Sequence, residues 1–167
     1  MLPIPEKLLQ QHVNATDLKQ INQWISKYPP DQKQSAVMGA LMIIQKAHGY
    51  LTTTVMDALA TYLEMPAIAV YEVATFYRMY QLKPVGRHTI NICTNISCQL
   101  RNCDALVAYL EKTLAIKLGE TTADGRFTLR AVECLGACVN APMLQIDQNY
   151  HENLTLTNID QVLQQYQ

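Results

Sequence analysis

Four of the five cysteines of this 167-residue chain fall into two tight pairs, and no other feature restricts the possible folds so strongly. The first pair is Cys93–Thr94–Asn95–Ile96–Ser97–Cys98, the second Cys134–Leu135–Gly136–Ala137–Cys138. Each pair begins where a strand-like run ends, so four sulfurs are expected to meet on one rim of a small α/β domain. Four converging thiolates suit a soft metal centre, and the pattern reads as the ligand set of a [2Fe–2S] cluster.

Two other uses of paired cysteines compete with that reading. Structural zinc sites favour knuckles spaced Cys-x-x-Cys, whereas here four and three residues separate the partners. These longer loops suit a flat two-iron rhomb, and a structural zinc-binding module stands as the lesser alternative. A thiol–disulfide oxidoreductase needs Cys-x-x-Cys on a helix N-terminus, a spacing the chain does not contain. A cluster with four thiolates carries about two negative charges, rising to about three on reduction, so backbone N–H donors are needed beside the sulfurs. Gly136 permits the tight turn that brings such donors close. No acidic residue lies inside either loop.

Other chemistry is scarce. The histidines His12, His48, His88 and His151 are scattered and none lies within a cysteine loop. There is no Gly-rich phosphate loop, nucleophile elbow or usefully spaced carboxylate pair, so no catalytic residue is assigned. A net charge of −1 offers no basic field for nucleic acid. The longest apolar run, Ala36 to Ile44, is too short to span a bilayer, so no direct membrane insertion is expected. The segment Met1–Leu2–Pro3–Ile4–Pro5 lacks a basic region leading into an apolar core. An odd number of cysteines without such a leader points to thiolate chemistry in a reducing, cytoplasmic compartment.

Residues 1–85 read as a four-helix unit. Residues 1–14, with two prolines, are expected to form an extended arm. Leu18, Ile21, Ile25 and Tyr28 then recur at helical spacing until Pro29–Pro30 stops the helix. A second helix is predicted from about Gln34 to His48, with Gly49 closing it; its centre is apolar nearly all round, as in a bundle interior. A third takes Thr53 or Thr54 as its N-cap, and a fourth follows Pro66, presenting Val70, Val73, Ala74 and Tyr77. Eight of the twelve aromatic residues lie in this half, as core filling or as a partner-docking surface. The short helices around Pro66 do not read as a DNA-binding pair, because Tyr71–Tyr77 offers no basic side chain. Lys83–Pro84–Val85–Gly86 is the linker.

Residues 86–167 read as β-α-β-β-β-α. Strands are predicted at His88–Ile92, Phe127–Val132 and Met143–Ile146, with a short fourth after Gln148–Asn149. Helices are predicted at about Asn102–Ala115 and around Leu156, Ile159, Leu163 and Tyr166, with Thr157 and Asp160 as a capping box. The first crossover makes its two strands parallel, the late hairpin is antiparallel, and the arrangement is thioredoxin-like. Cys103 shares a helix face with Leu106, Leu110 and Leu114, so it is expected to be a small core hydrophobe rather than a fifth ligand. The fold class is therefore α+β.

Several stretches taken together are specific: Val73–Ala74–Thr75–Phe76–Tyr77, Pro84–Val85–Gly86–Arg87–His88, the two cysteine pairs, and Thr121–Thr122–Ala123–Asp124–Gly125–Arg126–Phe127–Thr128–Leu129. Over roughly residues 15–167 the chain resembles the small [2Fe–2S] subunits that accompany the FMN- and NADH-binding flavoprotein of NADH:quinone oxidoreductase, respiratory complex I. The resemblance implies a helical N-terminal part, a thioredoxin-like ferredoxin domain, and a single [2Fe–2S] cluster on Cys93, Cys98, Cys134 and Cys138. It further implies FMN and NADH on a partner flavoprotein subunit, additional complex I subunits, and a cytoplasmic place in the peripheral arm of an inner-membrane complex. Similar subunits serve NAD-reducing hydrogenases and NAD-dependent formate dehydrogenases.

Overall fold

The computed structural model describes residues 5–166. The chain divides into two compact units, Met1–Pro84 and Val85–Gln167, each with its own buried apolar core.

Among the described residues the first unit contains five α-helices: α1 (Pro5–Gln10), α2 (Ala15–Ile25), α3 (Val37–His48), α4 (Thr53–Leu63) and α5 (Ala67–Phe76). The extended arm expected over residues 1–14 is therefore corrected where it is described. Residues 1–4 lie outside the described residues, and Pro5–Gln10 is helical, packed against α4 with Leu9 fully buried. Six residues are too few to display a period, and tertiary burial supports this helix rather than propensity. Asn14 starts α2 by accepting the Asp17 N–H at 2.8 Å. Leu18 and Ile21 are buried on its inner face.

α2 ends at Ile25 with Ser26 as its C-cap, four residues before Pro29, so Tyr28 lies beyond the helix that its spacing predicts. Pro30 then opens a 3-10 segment, Pro30–Ala36, and α3 begins three residues later than Gln34. Gly49 closes α3 in the left-handed region, φ 79°, with its N–H on the Gln45 carbonyl at 2.7 Å. Leu41 and Ile44 are fully buried while Met42 is exposed, so the apolar run is not buried all round. The cap of α4 is Thr52, one residue ahead of the expected threonines, its hydroxyl accepting the Val55 N–H at 3.3 Å. In α5 Val70 and Ala74 are buried, whereas Tyr77 lies beyond the last turn. No helix among the described residues is long and apolar enough to cross a membrane.

The second unit is a four-stranded mixed sheet with helices. Its elements are β1 (His88–Cys93), α6 (Ile96–Gln99), α7 (Cys103–Leu114), β2 (Phe127–Val132), β3 (Leu144–Ile146), β4 (Asn149–His151) and α8 (Ile159–Gln164). The strand order is β2-β1-β3-β4. β1 and β2 are parallel, and both the β1–β3 and β3–β4 pairs are antiparallel. Ile90, Ile92, Leu129, Leu144 and Ile146 bury against Leu106, Leu110 and Ile159 from the helices. Gly86 lies so close to the Arg126 and Phe127 backbone that a Cβ there would stand 3.0 Å from it.

α8 is shorter than expected, and Leu156 is exposed ahead of it. The capping box at Thr157 and Asp160 is also corrected. Thr155 and Asn158 form the reciprocal pair instead: the Thr155 N–H donates to Asn158 Oδ1 at 2.8 Å, and the Asn158 N–H donates to Thr155 Oγ1 at 3.2 Å.

Gly39, inside α3, packs beneath the Trp24 indole. A Cβ built on it would lie 2.5 Å from the ring. Helix propensity alone favours Ala over Gly by about 1 kcal/mol, but no real Cβ tolerates that approach. Gly39→Ala is expected to destabilise the chain in denaturant unfolding, and to become stabilising when combined with Trp24→Ala. Stabilisation by Gly39→Ala alone would refute the packing argument.

Candidate metal centre

β1 and β2 lie side by side in parallel with Cys93 opposite Val132, so both strands deliver the chain to the same sheet edge. In open α/β sheets the carboxyl ends of parallel strands are where ligands bind. The pairing persists beyond the strands. The Thr94 N–H and hydroxyl both donate to the Val132 carbonyl, at 2.9 and 3.2 Å. Asn95 Nδ2 donates to Glu133 Oε2 at 3.2 Å. Two successive residues, Thr94 and Asn95, thus lace the start of the first cysteine loop to the second.

The two pairs occupy different environments. Cys93 and Cys98 are 2% and 1% exposed, in a small apolar pocket with Cys103, Ala141 and Met143. The Cys93 N–H is anchored on the Met143 carbonyl at 3.2 Å. Burial pushes the Cys98 thiol up to about 11, and the neighbouring Cys93 acts in the same direction. Cys134 and Cys138 are exposed, with sulfurs 3.3 Å apart. Gly136, at φ 86°, turns its N–H onto the Cys134 sulfur at 3.3 Å, and this bond is the main cause of a lowered Cys134 pKa. The Cys138 thiol is raised, chiefly by its hydrogen bond with Cys134, against the lowering effect of Ser97.

The residues fit a two-iron cluster. A sulfur–sulfur distance of 3.3 Å is far longer than a disulfide, about 2.05 Å. It lies within the roughly 4.6 Å open to two sulfurs that share a metal at about 2.3 Å each. The sulfurs come as two pairs on neighbouring loops, Cys93 with Cys98 and Cys134 with Cys138. Two thiolates for each of two irons is the arrangement this donor set matches.

Cys103 is fully buried at the start of α7, its face continuing into Leu106 and Leu110. It packs beside Cys93 and Cys98, not within the leucine core, and so forms the floor of the inner pair. Helical periodicity places the residue on an inward face but cannot say what that face meets.

Sequence reasoning missed the groups that hold the second loop. Tyr150, on β4, donates its hydroxyl to the Leu135 carbonyl at 2.7 Å. The Asn153 and Leu154 N–H groups donate to the Asn140 and Pro142 carbonyls at 2.8 and 3.0 Å. Only the antiparallel β3–β4 hairpin brings these residues to the loop. The histidines are engaged elsewhere: His88 with Asp147 at 2.7 Å, His151 with the Tyr166 hydroxyl at 2.8 Å, and His48 with the His12 carbonyl at 2.5 Å.

A thioredoxin-like unit with paired cysteine loops at neighbouring strand ends defines a class of iron–sulfur protein. Residues 21–167 match the thioredoxin-like [2Fe-2S] ferredoxin family, and the chain belongs to it. It is 46% identical to the E-type subunit of NADH-quinone oxidoreductase from Rickettsia prowazekii (strain Madrid E) over 143 residues, covering 85% of this chain and 81% of the relative. It is 45% identical to an E-type subunit of NADH-quinone oxidoreductase from Rhizobium meliloti (strain 1021) over 141 residues, 84% of this chain and 83% of the relative. Among solved structures, the air-oxidised crystal structure of an NAD+-reducing [NiFe]-hydrogenase is similar with a TM-score of 0.65 and 25% identity. That match covers 75% of this chain but only 22% of the hydrogenase chain, where the fold is part of a longer polypeptide.

The contrast in environment yields an order of thiol reactivity in the metal-free chain. Cys134, exposed and with its thiolate favoured, is expected to alkylate first near neutral pH. Cys98, buried and at about 11, is expected to react last of the four and to gain with rising pH. Timed iodoacetamide labelling with peptide mass spectrometry measures this. Faster labelling of Cys98 than of Cys134 would contradict the structure.

Proposed function

We propose that the chain is the small electron-transfer subunit of an NADH:quinone oxidoreductase of the complex I type, holding one [2Fe–2S] cluster on Cys93, Cys98, Cys134 and Cys138. The observation that carries this reading is the junction of the two loops, with a buried and an exposed pair of sulfurs at one sheet edge. Identity of 45–46% to E-type subunits of such oxidoreductases supports the assignment.

When bound, the cluster supplies one-electron chemistry. The chain's own residues enclose one side of it in the apolar pocket of Met143 and Ala141 and leave the other open to a partner. Hydride transfer delivers two electrons, and a cofactor on another subunit must divide them. FMN and NADH therefore belong to a partner flavoprotein, with further complex I subunits completing a cytoplasmic arm on the inner membrane. The two units serve as separate domains in this reading. The helical one, residues 1–85 with four main helices, contributes docking surface, and the thioredoxin-like one, residues 86–167, carries the centre. Phe76, 77% exposed, with Met79 and Leu82, supports that docking role.

A second reading, the equivalent subunit of an NAD-reducing hydrogenase or formate dehydrogenase, is favoured by the hydrogenase fold match. The subunits that co-purify with the chain separate the two. A structural zinc module predicts tightly bound zinc and no redox spectrum.

Cys→Ser at positions 93, 98, 134 or 138 is expected to lose or distort the cluster, and Cys103→Ser to retain it, read by iron and sulfide analysis with EPR. A normal centre in the Cys134 variant would remove that residue from the ligand set. Dithionite is expected to bleach the isolated protein, whereas NADH reduces it only after the flavoprotein is added. Rapid bleaching by NADH alone, followed anaerobically by absorbance, would end the subunit reading.

A further inference from the structure

We propose that Tyr150 is a positioning residue that raises the reduction potential of the centre by fixing the peptide whose N–H faces the Cys134 sulfur. This rests on the ligand set proposed above. The Tyr150 hydroxyl donates to the Leu135 carbonyl at 2.7 Å, and the Gly136 N–H donates to Cys134 Sγ at 3.3 Å. That carbonyl and that N–H are the two ends of one trans peptide. Because the peptide is planar, a bond at its oxygen restrains the direction of its N–H. The same bond polarises the amide and makes the N–H a stronger donor.

Packing at the turn does not fix that plane. Gly136 stands at φ 86°, and a Cβ built on it would meet nothing within 4 Å, so its surroundings do not hinder rotation. The Leu135 side chain packs against the pocket of Cys93 and Cys98, while its carbonyl is held by the phenol. The sheet places that phenol: Tyr150 pairs with Gln145 of β3, and β3 pairs with β1, which ends at Cys93. The far end of the loop is held separately, by Asn140 Nδ2 on Glu152 Oε2 at 2.6 Å and by the Asn153 N–H on the Asn140 carbonyl at 2.8 Å. Removing the Tyr150 hydroxyl therefore frees the peptide without releasing the loop. One electron taken from dithionite adds one negative charge, spread over the sulfurs, with no bond made or broken. An N–H held on one of those sulfurs stabilises the more negative state more than the less negative one.

The test is potentiometric titration of the cluster-loaded full chain at neutral pH, followed by EPR, with iron and sulfide content measured for each variant. Tyr150→Phe, which keeps the ring and loses the hydroxyl, is expected to retain a full cluster with a more negative midpoint and altered g values. 3-Fluorotyrosine incorporated at position 150, whose hydroxyl is the more acidic donor, is expected to move the midpoint the opposite way. An unchanged midpoint in a fully loaded Tyr150→Phe protein overturns the proposal. So does a 3-fluorotyrosine midpoint displaced to more negative values, because donation by the hydroxyl is then not the cause. Loss of the cluster from Tyr150→Phe also overturns it, assigning the hydroxyl to retaining the site rather than setting its potential. Absence of any cluster in the parent chain would instead refute the ligand set.

Discussion

The parallel pairing of β1 with β2, Cys93 opposite Val132, is the constraint on which the centre depends. Thirty-five residues separate Cys98 from Cys134 in the chain, and only this register brings their loops together. The pairing is secured by burial: Ile90 and Ile92 on one strand and Phe127 and Leu129 on the other are fully buried. Because side chains alternate along a strand, a slip of one residue would turn that apolar set to the other face. The hydrophobic core therefore fixes the spacing of sulfurs that lie outside it, and the bonds from Thr94 and Asn95 extend the same register to the loops themselves.

Two kinds of environment result from one strand edge. The first loop turns straight into α6 and α7, which bury Cys98 and Cys103 beneath it. The second loop runs out over the surface, held by Tyr150 and by the chain after β4. An electron carrier needs both properties. The closed side excludes water and limits exchange of ligands, and the open side admits a partner to short range.

The helical unit shows where local signals suffice and where they fail. Gly49 ends α3 as its sequence position announces, because a left-handed closing residue is a local requirement. Thr52, rather than Thr53 or Thr54, caps α4, since adjacent threonines offer equivalent hydroxyls and only the path of the entering chain selects one. α1 has no periodicity to read, and Leu9 is buried only because α4 lies against it. Gly39 looks unfavourable in a helix interior until the Trp24 ring above it is known.

The amino-acid order by itself determined the two cysteine pairs, the strands that precede them, the parallel crossover, and the inward face that carries Cys103. These depend on spacing and alternation, which are properties of neighbouring residues. Only the tertiary structure decided which pair is buried, that Cys103 lies beneath the inner pair, that Asn95 reaches Glu133 of the other loop, and that Tyr150 holds Leu135. Each of those is a contact between residues far apart in the chain, set by how the sheet and helices pack, and no local period encodes it.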